Sequence, residues 1–232
     1  MTKTSPDTRP SAPVASEGRR GTGDKRRALL DGALAVFSAD GYSRASIDNI
    51  ARTAGVSSRT IYNHFTDKAT LFEAVIVDSA ERVAEAQIIT VQRYLGKIVD
   101  IEADLLEFGR IWATPTPEYV PHFALVGQIT ADADHIPRAA LEAWQHAGPL
   151  RVRAEIATCL RRIADAGQLA IDDAEIAAAH LTWLIIGART FHGPILEPTE
   201  EIHRLADAGV RAFLRGYLPA AGVATKRTAR RR

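Results

Sequence analysis

The chain has 232 residues and a mass of 25.2 kDa, is 46% hydrophobic and 25% charged, and carries a net charge of +1. That is ordinary globular composition, ample for a small domain and a larger one. No apolar run reaches 18 residues and the first 20 contain no apolar segment, so neither a membrane span nor export is expected and the expected location is cytoplasmic; the lone Cys159 excludes an intrachain disulfide or a two-cysteine metal site and reads as a small buried hydrophobe.

Residues 1–22 are rich in Ser, Thr, Pro, Gly and charge, with too little apolar surface to offset ordering entropy, and read as a disordered basic arm. Arg19 and Arg20 at its end are either a solvated pair or a contact for a minor groove or phosphates. From Asp24 to Ala39, Leu30, Ala33, Leu34 and Phe37 recur at i, i+3, i+4 and i+7, which predicts a helix with one buried stripe, ended by Gly41. Ser46 is a good N-cap for a second helix whose first turn holds Asp48 and whose inner face holds Ile47, Ile50, Ala51 and Ala54. The Ala54-Gly55-Val56 break turns the chain, and Ser57 caps a third helix. There Ile61 and Phe65, spaced i, i+4, point inward, so Ser58, Arg59, Tyr62 and Asn63 point outward, flanked by Thr60 and His64. Asp67 caps a fourth helix that buries Leu71, Phe72, Val75, Ile76 and Val83 and continues to Ala86 or beyond. No Gly/Pro-rich linker follows, so movement further along the chain can travel to this region as a rigid-body tilt.

Residues 46–65 thus read as a helix-turn-helix packed on its neighbours in a DNA-binding domain spanning residues 23–83. Arg can fork onto guanine, Asn can pair with adenine, and Ser, Thr, Tyr and His can reach phosphates or base edges. The charge distribution agrees, since nine basic against five acidic residues between Arg19 and Lys68 leave +4 where the motif lies. Contacts to double-stranded DNA are expected from Arg44, Ser46, Ser57, Ser58, Arg59, Thr60, Tyr62, Asn63, His64 and Lys68. The stretch resembles the TetR family of transcriptional regulators, whose I-A-x-x-A-G-V-S turn and I-Y-x-H-F-x-x-K ending appear as Ile50-Ala51, Ala54-Gly55-Val56-Ser57, Ile61-Tyr62-Asn63-His64-Phe65 and Lys68. With Phe37 and Asp40-Gly41-Tyr42, the resemblance covers about residues 23–83. It implies a homodimeric regulator, most often a repressor, that reads a near-palindromic operator and responds to a small effector. It also implies that Lys68 meets a backbone phosphate.

Beyond residue 84 helical periodicity continues and period-two alternation is absent, so the fold class expected is all-α, with residues 84–218 as an effector-binding and dimerisation domain. Helices are expected over Ile98–Trp112, Tyr119–Ile129, from Asp132-Ala133-Asp134-His135 to Gln145, Leu150–Ala166, Asp173 to about Phe191, and Thr199–Tyr217. Asp132, Asp134 and His135 suit a helix start better than a metal site, and no metal or cofactor is expected. His192 and His203 lie apart and no nucleophile, metalloprotease or phosphate-loop motif occurs, so no catalytic residue is assigned; an enzyme or a helical adaptor is the rival class. The large side chains Trp112, Tyr119, His122, Phe123, Trp144, Trp183 and Phe191 suggest the wall of a pocket for a largely apolar effector, against the plainer reading as core. Two stripes, one with Leu181, Leu184, Ile185 and Ala188 and one with Val210, Phe213 and Leu214, suggest a dimer interface, part of each being buried within the subunit. Residues 219–232 end in Lys226, Arg227, Arg230, Arg231 and Arg232, a basic tail for phosphates or for solubility.

Overall fold

Each regular element in the computed structural model, which describes residues 17–131, 133–192 and 198–219 (side chains of 17–24 and 188–192 excepted), is helical. Readings placed on Arg19, Arg20, Asp132, the side chains of Ala188, Phe191 and His192, and the basic tail lie outside the described residues.

The helices are α1 (Glu17–Arg44), α2 (Ile47–Ala54), α3 (Ser58–His64), α4 (Lys68–Leu95), α5 (Ile101–Ala113), α6 (Val120–Ala131), α7 (Arg138–Ala147), α8 (Pro149–Asp165), α9 (Ala174–His192) and α10 (Thr199–Tyr217). Three starts differ from expectation. The first helix begins at Glu17 rather than Asp24, and no proline between Pro13 and Arg44 removes a backbone donor. Its regular path is broken at Gly41 (φ 75°, ψ 171°), the residue expected to end it. Residues 133–135 form only a short 3-10 turn; Pro137 then resets the chain, so α7 starts at Arg138. In α5 the start shifts to Ile101, because the Asp100 carboxylate accepts hydrogen bonds from the backbone N–H groups of Glu102 and Ala103.

Helix α4, 28 residues and about 42 Å long, is shared by two cores. Its first half contributes Leu71, Phe72, Val75 and Ile76 to a core with Leu29, Leu30, Phe37, Ile50 and Ile61, and the same core takes in Leu125 and Ile129 of α6, Ile136, and Ala140 of α7. Its second half contributes Ala84, Val91 and Leu95 to a core built from α5, α8, α9 and α10, centred on Phe108, Ile156, Leu160, Leu181, Ile185 and Phe213. Thus α6 rests directly on α1, and α7 on α4. Arg27 and Arg82 both bond Asp78, at 3.0 and 3.2 Å, and Arg82 also reaches Asp31 at 3.2 Å, tying α1 to α4 along their exposed edge.

Candidate nucleic-acid interface

The local chemistry of residues 46–67 builds a rigid corner. Ser46 Oγ accepts from Asn49 N at 3.2 Å, which satisfies an otherwise orphaned amide at the start of α2. Gly55 follows with φ 67°, a left-handed conformation that a Cβ disfavours, and its N–H closes on the Ala51 and Arg52 carbonyls. Ser57 Oγ accepts from Thr60 N at 3.1 Å and starts α3; Asp67 Oδ1 accepts from Thr70 N at 2.8 Å while Thr70 Oγ1 accepts from Asp67 N at 3.2 Å. This reciprocal pair holds the Asp67 carboxyl below its ordinary range, chiefly through the Thr70 backbone bond. Inside the corner, Ile50 and Ile61 are fully buried against Phe37 and Phe72, whose rings meet edge to face at 4.9 Å.

The ten residues expected at DNA fall into two groups. Arg59, Tyr62, Asn63 and His64 are exposed, and their side chains make no hydrogen bond among the described residues; Tyr62 is 56% exposed. Positions 59 and 63 are one turn apart on α3, with 62 beside them, so their donors share one outward face. Arg44 is exposed at the end of α1. The others serve the corner itself. Ser46 and Ser57 are caps, Thr60 Oγ1 lies 2.9 Å from Ser57 Oγ, and Ser58 Oγ donates to Asp48 Oδ1 at 2.7 Å. Lys68 Nζ, for which the resemblance implied a phosphate, lies on three carbonyl oxygens of Tyr42, Ser43 and Ala45. A further chain of bonds went unforeseen: Arg52 Nη2 donates to Asn49 Oδ1 at 2.6 Å and Asn49 Nδ2 to Asp40 Oδ2 at 3.1 Å, pinning α2 to α1. Its only trace in the sequence is the i, i+3 spacing of Asn49 and Arg52.

The expected pocket residues whose side chains are described are divided between the two cores and the surface. Trp112 packs on the core around Phe108, with ring centroids 5.3 Å apart, whereas Trp144 packs on the core that holds the corner; Phe123 is 50% and Trp183 64% exposed. Tyr119 is half-buried, at the end of a 3-10 turn. His122 is buried, its Nδ1 2.7 Å from Ser79 Oγ, and burial, reinforced by the charge of Arg82, pulls its pKa from 6.5 to about 4. It therefore sits neutral between α6 and α4. The indole Nε1 of Trp144 is buried without a hydrogen-bond partner among the described residues.

Most of the two expected dimer stripes packs within the subunit. Leu181, Ile185, Val210, Phe213 and Leu214 are all buried within the subunit. They face one another because α9 and α10 approach at Gly209, where a Cβ would lie 2.0 Å from the Leu184 carbonyl oxygen. Of the expected α9 residues, Leu184 (40%) is exposed, and with Ile176 (52%) and Trp183 (64%) it forms an apolar face turned away from the core.

Residues 29–75 match the family described as bacterial regulatory proteins, tetR family, and residues 121–219 match the AefR-like transcriptional repressor C-terminal domain. A solved structure of a TetR-family regulator from Mesorhizobium loti is 30% identical, covers 85% of this chain and 98% of its own, and superposes with a TM-score of 0.73. The flavonoid-responsive regulator FrrA is 27% identical over 85% of this chain and 99% of its own, with a TM-score of 0.57. The transcriptional repressor Rv1474c of Mycobacterium tuberculosis is 38% identical over 60 residues, which span 26% of this chain and 32% of that repressor.

Proposed function

Because the chain belongs to the TetR family of bacterial regulatory proteins, we propose that it is a sequence-specific DNA-binding regulator, a twofold dimer in the cytoplasm that leaves its operator when a small, largely apolar effector binds. The outward face of α3 carries this reading. Arg59, Tyr62, Asn63 and His64 present unspent hydrogen-bonding groups on a helix whose other polar side chains are already engaged, and a buried pair of isoleucines fixes its back. Such a face can enter a major groove without breaking any bond of the folded protein, so its donors are available to base edges. The nature of the matched relatives favours repression over activation.

A second copy is the natural cover for Ile176, Trp183 and Leu184, since α9 lies at the end of the molecule that does not hold the corner. The effector reading is supported by the orphaned Trp144 Nε1, which asks for an acceptor beside an apolar wall, and by the flavonoid response in the name of one relative. A ligand there touches α7, which shares a core with the corner. Titration of a duplex from the region upstream of the chain's own gene against a scrambled duplex, at several salt concentrations, tests the reading. A specific complex with steep salt dependence is expected. Equal weak binding to both duplexes would favour the rival reading as a helical adaptor.

A further inference from the structure

Gly41 takes φ 75° and ψ 171°, so the regular path of α1 stops there and residues 42–45 leave in a new direction toward α2. The bend is buried, and its positive φ is one that a glycine adopts cheaply. Two contacts meet at it. Across the bend, Asp40 Oδ2 accepts from Asn49 Nδ2 at 3.1 Å, which ties the residue before the glycine to α2. Against the bend stands Gln128 of α6: a Cβ on residue 41 would lie 3.0 Å from Gln128 Oε1 and 3.7 Å from its Cδ, so the glycine leaves the room that this amide fills. The amide makes no hydrogen bond among the described residues, and its contact is therefore one of bulk. Leu125 and Ile129 of the same helix are buried in the core that holds Ile50 and Ile61, which gives the side chain a fixed seat.

We propose that Gln128 is a positioning residue for operator recognition, a prop behind the Gly41 bend that sets the angle at which residues 42–45 deliver α2 and α3. It lies outside residues 29–75 and inside residues 121–219, so a side chain of the C-terminal region acts on the corner directly. A glycine backbone turns more freely than any other, and a bend made by one holds a single angle only where something rigid stands against it. Helices of eight and seven residues have little stability alone, so α2 and α3 inherit the direction given to them there. The lever is long enough to matter. A swing of about 5° over the roughly 12 Å of α2 moves its far end by about 1 Å, twice the ~0.5 Å within which a recognition site must be held.

The inference rests on the DNA-binding reading, and its test separates the two. A duplex enriched by the wild-type chain from a randomised library is titrated, beside a random duplex of equal length, with wild type, Gln128→Ala, Gln128→Met and Gly127→Ala. The prop predicts that the ratio of specific to random affinity falls by roughly tenfold in Gln128→Ala and stays that of wild type in Gln128→Met, which keeps the length of the side chain without its amide. It also stays that of wild type in Gly127→Ala, where the added Cβ meets nothing within 4 Å. Affinity for the random duplex should be equal in all four, since no phosphate contact changes. A wild-type ratio in Gln128→Ala, or a loss in Gln128→Met as large as in Gln128→Ala, would overturn the proposal. Amide exchange of DNA-free protein supplies a second reading and tells a loosened bend from a loosened core: residues 42–54 should exchange about tenfold faster in Gln128→Ala while residues 85–95 and 138–147 keep their wild-type rates. Unchanged exchange across 42–54, or an equal acceleration across 138–147, would contradict the prop. Should the wild-type chain enrich no duplex, the regulator reading fails and the exchange experiment still decides the role of Gln128.

Discussion

In the proposed reading, Arg59 and Asn63 supply the base selectivity of the α3 face. Four residues of helix rise span about 6 Å, so the bases they read lie within about two steps of one another in the groove. Arg59→Ala should lose discrimination for a guanine and Asn63→Ala for an adenine, each by about 1–3 kcal/mol at one base pair, with binding to other sequences little affected. Melting temperature should hardly move in either, because both side chains are exposed. Selection from a randomised library by each variant checks this; unchanged preference in both would remove the base-reading role. His122 gives a second prediction at this scale. Its folded pKa is about 4 and its ordinary value 6.5, so between those pH values the unfolded chain binds the extra proton and stability falls as pH drops through the window. The full difference is about 3 kcal/mol, and denaturant titrations at stepped pH should show it in wild type and not in His122→Asn. The outward set 58–60 and 62–64 was legible because one i, i+4 pair, Ile61 and Phe65, fixes which way the helix turns. Whether each outward group is free or spent was not legible, since Ser58 finds Asp48 and Lys68 finds the end of α1 only after the chain folds back.

Helix α9 shows where periodicity stops being informative. A stripe of apolar residues states that a face is buried and not against what. The sequence marks Leu181, Ile185, Val210, Phe213 and Leu214 as apolar at helical spacing, and all five are consumed by packing within the subunit. The close approach at Gly209 is what pairs them. Phe213→Asp should therefore bury an unpaired charge and unfold the second core, at a cost of several kcal/mol, whereas Trp183→Asp should yield folded monomers. Circular dichroism with analytical ultracentrifugation distinguishes these results; folded monomers from Phe213→Asp would put the interface back on that stripe. Caps were more legible than packing, because a cap is a local event. Ser46, Ser57 and Asp67 each start the helix their sequence position announces, and Pro137 overrides the start read at Asp132–His135 for an equally local reason. The assignment of α6 and α7 to the core beneath the helix-turn-helix leaves no local trace at all.

At the scale of the molecule that assignment bears on how the proposed effector response would reach the corner. Leu125, Ile129 and Ala140 share a core with Ile50 and Ile61, so displacement of α6 or α7 acts on α1 and α4 together rather than through the length of α4 alone. An effector shifts the equilibrium only by its differential affinity for the two arrangements, and the coupling is reciprocal. Operator duplex should thus weaken effector binding by the same factor as effector weakens operator binding, and calorimetry with and without saturating duplex should find that factor reduced in Trp144→Phe, which keeps an aromatic ring, though a smaller one, and removes the donor. Equal coupling in wild type and Trp144→Phe would move the effector away from α7. The all-α architecture and the corner were both visible in the sequence; the arrangement of two corners on one duplex is not a property of a single chain. Hydroxyl-radical footprinting of the wild-type protein on its enriched duplex measures it most directly. Two protected patches of equal sequence, related by a dyad and about 34–36 Å or a multiple of that apart, are the predicted result; a single patch, or protection without sequence preference, would contradict the account.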